Sequence, residues 1–142
     1  MTRINTGKVI AGGLLAGLVF NIGDFLINTY LLAADYHTTL TRLGLNPAAL
    51  ESTDAILCWV IIDFLFGLLI IWNYAGIRPR FGPGPKTAIL AGLPLYAAAT
   101  LIVFGFASLG VFTMAIAVKG AVYSAVNTIV GSLAGAWLYS EA

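Results

Sequence analysis

Cysteine is all but missing from this chain. Cys58 stands alone, which leaves no second thiol for an internal disulfide, a dithiol redox centre or a structural zinc cluster. Cys58 itself reads as a small buried apolar residue. Histidine is equally scarce: His37 has no neighbouring imidazole or thiol with which to hold a metal, and reads as an ordinary interfacial side chain. Charge is sparse and balanced, seven basic against six acidic side chains, with neither a basic patch nor an acidic tail, so nucleic acid is not an expected partner. Nothing reads as a strand, and "RPRFGPGPK" lacks the glycine spacing of a phosphate loop. No metal site, no cofactor and no enzymatic nucleophile are expected, so the chain does not read as an enzyme.

Apolar residues make up what is there. A chain that is 60% hydrophobic, with mean hydropathy +0.95, lies outside the range of soluble domains, and its expected surroundings are lipid. Four apolar stretches are long enough to cross a hydrocarbon core, which takes about 20 residues of helix. They are placed at residues 7–34, 54–76, 86–107 and 110–139 as a single domain: an all-α, polytopic four-transmembrane-helix bundle. The first stretch is too long for the core of a signal peptide, roughly 7 to 15 residues, and it carries polar groups within it. Between the first two spans, Leu40, Leu43, Leu45 and Leu50 alternate with polar residues, as in a short amphipathic helix at the interface, and Asn46 with Pro47 forms a helix start. Pro79, Pro83 and Pro85 are expected to stop helices around the middle loop, and Pro94 to kink the third. Trp59, Trp72, Trp137, Tyr74 and Tyr139 fall near span ends, where aromatic belts form.

Direction follows from the basic residues. Arg3, Lys8, Arg78, Arg80 and Lys86 fall on one side, five of the seven, and that side is expected to be cytoplasmic, with both termini there. Lys119 falls inside a span.

The polar residues inside the spans carry the functional expectation. Counted from the far end of each span at about 1.5 Å per residue, Asp24, Asp63 and Lys119 come to similar depth near the midplane. Each belongs to a stripe at helical spacing: Gly13, Gly17, Asn21, Asp24 and Asn28 in the first span, and Trp59, Asp63, Gly67, Ile70 and Tyr74 in the second. Gly92, Tyr96 and Thr100 follow in the third, and Lys119, Tyr123, Asn127, Gly131 and Gly135 in the fourth. Glycines at this spacing let helices approach closely, so these faces should turn inward. A charge at mid-bilayer costs about 2.5 to 3.5 kcal/mol on insertion scales, so partners are expected, and Lys119 is matched with Asp24. Asp63 then adjoins a carboxylate already engaged, and one of the two acids is expected to hold a proton or bind a cation.

A glycine-rich first span with a midway acid, the loop "LTRLGLNPAAL", a basic turn and a closing helical pair resemble small bacterial four-span membrane proteins classed as domains of unknown function. That resemblance implies a bacterial inner-membrane protein and no particular activity. The first-helix carboxylate is also similar to that of the small multidrug transporters, although Asp24 lies deeper and Lys119 has no counterpart there. Two functions are weighed. One is a proton- or cation-coupled small transporter, a homo-oligomer working through Asp24 and Asp63 with Lys119 as internal counter-ion. The other is an accessory subunit that docks through its glycine faces on a larger membrane complex and uses Asp24, Asp63, Lys119, Asn21, Asn28, Tyr96, Thr100, Tyr123 and Asn127 only to fix helix register.

Overall fold

A computed structural model describes residues 3–140 and contains five α-helices, with no strand among the described residues. Helix α1, Thr6–Leu26, is capped by Asn5, whose side chain accepts the Lys8 backbone N–H at 3.1 Å. It runs on into a five-residue π-helical turn, Ile27–Leu31, and breaks at Leu32. Helix α2, Ala33–Arg42, follows, then a 3-10 turn, Pro47–Glu51. Helices α3, Thr53–Phe81, α4, Pro85–Ser108, and α5, Met114–Leu138, complete the chain. Four helical stretches are long and apolar enough to cross a membrane: Thr6–Leu31, Thr53–Phe81, Pro85–Ser108 and Met114–Leu138.

Several boundaries differ from the sequence expectation. The helix between the first two spans begins at Ala33, not at Asn46, and Asn46 caps only the short 3-10 turn by accepting Ala48 N–H at 3.1 Å. Pro79 does not stop α3, which continues to Phe81 and ends at Gly82 with φ 83°. A proline this close to a helix end removes a single backbone bond, and the turn closes beyond it through Gly82 N–H to Arg78 O at 2.8 Å. Helix α4 carries Pro94 in its interior, as expected from its place within the third span. Helix α5 starts at Met114, later than residue 110, because Thr113 is extended and accepts the Ile116 N–H at 3.2 Å.

Packing follows the small residues. Helix α1 lies against α3 and α5, and α4 against α5 and α3, with α1 and α3 antiparallel. A Cβ placed on Gly67 of α3 would meet the backbone of Gly13 and Gly17 of α1, and one on Gly12 of α1 would meet Gly135 O of α5. At both crossings only glycine lets the backbones touch. Val9, Ala16, Phe20, Ile70, Ile71, Tyr74, Ala75, Ala88, Ala91 and Tyr139 form the core. That core sits at the end carrying both described termini and the α3–α4 connection, here the terminal end. Tyr74 and Tyr139 belong to it, edge to face with centroids 5.7 Å apart, whereas Trp59, Trp72 and Trp137 face outward. Cys58 is exposed, contrary to its expected burial, since it falls on the half of α3 where no residue is buried.

Candidate functional site

Asp24 and Asp63 meet. Their carboxyl groups face each other across the α1–α3 interface, near enough to interact, and Asp63 is only 7% exposed. Helix geometry explains the meeting. Each Cα–Cβ bond tilts toward its helix N-terminus, so on antiparallel helices side chains offset in level lean toward each other. The backbone contacts place Gly17 beside Asp63 and Asn21 beside Val60, about one to two turns below Asp24, and the two side chains close that offset.

Two asparagines stand beside the pair, Asn127 bonding Asp24 directly and Asn21 tying the two helices together. Asn127 of α5 donates to Asp24 Oδ1 at 2.7 Å and to Phe20 O at 3.3 Å. Asn21 donates to Gly17 O at 2.9 Å on its own helix and to Val60 O of α3 at 3.4 Å. The site therefore joins α1, α3 and α5. Gly23 makes room for this, because a Cβ there would collide with the Asn127 amide.

Other expected members are placed elsewhere. Lys119 does not pair with Asp24; its Nζ lies 2.8 Å from Asp35 Oδ2, with side chains 47% and 24% exposed. The cause is the late start of α5. Lys119 stands only five residues into that helix, about 7.5 Å from its end, where it meets the beginning of α2 instead of the middle of α1. Asn28 is exposed and donates to Asp24 O at 2.8 Å, a bond within its own helix. Tyr96 bonds Ala121 O at 2.9 Å and so ties α4 to α5 away from the acids. Thr100 and Tyr123 are half-buried on α4 and α5.

Three residues that sequence reasoning passed over stand around the far-end side of the pair. Burial, and after it the charge of Asp24, push the Tyr36 phenol above its ordinary value. Its ring also packs edge to face on Phe112, 6.4 Å away. Asp35 pairs with Lys119, and Arg42 donates to Gly110 O at 2.8 Å and Val111 O at 3.1 Å. The polar run Asp35-Tyr36-His37 directly after an apolar span was the available signal, but it read as loop. Asn73, also unmarked, donates to Ala91 O at 2.8 Å and joins α3 to α4.

The site lies where the packing changes. Buried residues of α1 end at Phe20, those of α3 begin at Asp63, and those of α4 end at Gly92. Beyond that level the buried residues are Leu32, Thr39, Ile116 and Ala117, all on α2, the residue before it or the first turn of α5. Among the described residues no group of three or more His, Cys, Asp or Glu converges to hold a metal. Comparison with protein-family models, with curated proteins and with solved structures finds no match to this chain.

Proposed function

We propose that this is a small multi-pass membrane transporter in which the Asp24–Asp63 pair is the proton- or cation-coupling site. The observation that carries the reading is the meeting of two carboxyl groups from different helices at the α1–α3 crossing, with one of them buried. An ionised carboxylate only accepts hydrogen bonds, so two acids brought together in this way bond to each other only while they share one proton. Losing that proton, or exchanging it for a monovalent cation, removes the bond joining α1 to α3 at the level where their packing loosens. This links proton occupancy to helix arrangement, as a coupled transporter requires. Lys119 has no part in the coupling site in this reading; Asp35 neutralises it.

The helices are read as a bundle in a bacterial inner membrane, with both termini cytoplasmic and α2 lying at the opposite interface. Arg3, Lys8, Arg78, Arg80 and Lys86 support that orientation. The second reading, an accessory subunit, draws on Asn21 and Asn127, whose bonds to backbone of neighbouring helices would also serve to fix register. It loses support from the glycines, since Gly12, Gly13, Gly17, Gly67, Gly131 and Gly135 are already in close contact within the chain.

The test uses proteoliposomes holding an internal pH dye, challenged in turn with sodium, potassium and a panel of small organic cations and anions. At least one solute is expected to drive proton movement that Asp63→Asn and Asp24→Asn abolish and Lys119→Met leaves in place. Proton movement that no solute evokes, together with acid variants that alter stability alone, would overturn the transporter reading in favour of the subunit.

A further inference from the structure

We infer that α2 is a hinged lid over the far-end approach to the Asp24–Asp63 pair, swinging on the π-helical turn Ile27–Leu31 and latched to α5 and the α4–α5 connection through Asp35 and Arg42. The inference rests on the pair being the coupling site.

Burial shows what closes that approach. Past the level of the pair, α1, α3 and α4 contribute no fully buried residue, so they pack less tightly in the far half than in the terminal half. Burial there is confined to Leu32, Thr39, Ile116 and Ala117. Tyr36, half-buried on α2, packs edge to face on Phe112 in the α4–α5 connection, and it is the α2 residue on which the charge of Asp24 bears.

The attachments are of a kind that releases. Lys119–Asp35 is partly exposed, and ion pairs in contact with water are weakly held. Arg42 grips the carbonyls of Gly110 and Val111 at the rim, and that connection turns at Gly110 with φ 78°. Thr39 is fully buried, yet its hydroxyl finds no hydrogen-bond partner in the closed position, a cost that lifting the lid relieves.

The hinge is equally local. Residues Ile27–Leu31 include no buried side chain, and the turn closes through the wider bond from Leu32 N–H to Ile27 O, 2.9 Å. Leu32 then departs from helical geometry, at φ −115° and ψ −5°. Wide turns of this kind recur at functional sites, and a few element-terminal residues suffice to absorb a domain-scale swing. The hinge follows directly on the helix that carries Asp24, so a change at the acid is passed to the lid along one continuous chain.

Spin labels at His37→Cys and Met114→Cys in a Cys58→Ser background, read by pulsed electron resonance in nanodiscs, test the lid. The parent is expected to give one short distance. Lys119→Met with Arg42→Ala is expected to add a population longer by roughly half the ~15 Å length of α2. The exchange Asp35→Lys with Lys119→Asp is expected to restore the short distance, a rescue that misfolding would not produce. Modification of Asp63 by a hydrophobic carbodiimide is expected to rise severalfold when the latch is cut. A single unchanged distance and unchanged modification in the latch variants would overturn the lid, even where the liposome assay still finds Asp63-dependent proton movement. An opening lid with no solute-driven proton movement would instead leave the lid standing and remove the coupling reading.

Discussion

At the scale of single residues, the polar groups differ in what their removal should cost. Asn127 bonds both Asp24 and the Phe20 carbonyl, so Asn127→Ala should destabilise the protein by about 0.5–2 kcal/mol, the range found for hydrogen bonds between membrane helices. Denaturation in graded dodecyl sulfate measures it, and a change of stability indistinguishable from zero would mean that the amide does not brace Asp24. Tyr36 offers a pH test. Its phenol is held above the ordinary value of 10.0, so the folded state keeps the proton more tightly than the unfolded chain does. The associated stability is complete below pH 10 and lost as pH rises through the folded-state value. Tyr36→Phe should flatten that alkaline decline in a melting-temperature series; an unaltered decline would mean that another group causes it.

At the scale of elements, contact between α1 and α3 depends on having nothing where a methyl group would go. Gly67→Ala puts a Cβ against the backbone of Gly13 and Gly17, which cannot yield as a side-chain tip can. The expected loss is about 1–3 kcal/mol, typical of overpacking. Gly76→Ala on the same helix meets nothing within 4 Å and serves as the control, expected to be neutral or slightly stabilising. Equal effects from the two substitutions would show that helix propensity, not the crossing, sets the result. The same crossing puts Asp63 beside Gly17, so Gly67→Ala should also weaken the Asp24–Asp63 contact, visible as loss of the protonated-carboxyl band in infrared difference spectra.

At the scale of the whole molecule, packing is uneven along the helix axes. The core gathers at the terminal end, around Ile70, Ile71, Tyr74 and Tyr139, and the far half is held by α2 and its attachments. With the proposed lid, such a molecule would have one stiff end and one that opens. The proposed orientation puts the stiff end in the cytoplasm, and single cysteines at Pro83 and Glu51 in a Cys58→Ser background check it. A membrane-impermeant thiol reagent should reach the Pro83 position only in inverted vesicles and the Glu51 position only in right-side-out ones. The opposite pattern would reverse the orientation.

Composition and run length by themselves determined that the chain is all-α with four apolar helices, because covering a hydrocarbon core demands about 20 apolar residues whatever the neighbours are. Helical spacing also singled out the inward faces that carry Gly13, Gly17, Gly67, Gly131 and Gly135, since periodicity is a local property of the helix. The partners of the charges were decided only in three dimensions. Lys119 was matched with Asp24 by counting from residue 110, and the Thr113 cap moved the true start of α5 far enough to give Lys119 to Asp35. Asp63 was expected to adjoin Asp24; the fold adds the antiparallel lean of the two side chains on helices whose spacing Gly67 sets. Tyr36 joined the site because the helix expected around Leu40 to Leu50 begins instead at Ala33 and packs against α5, a relation that no local pattern encodes.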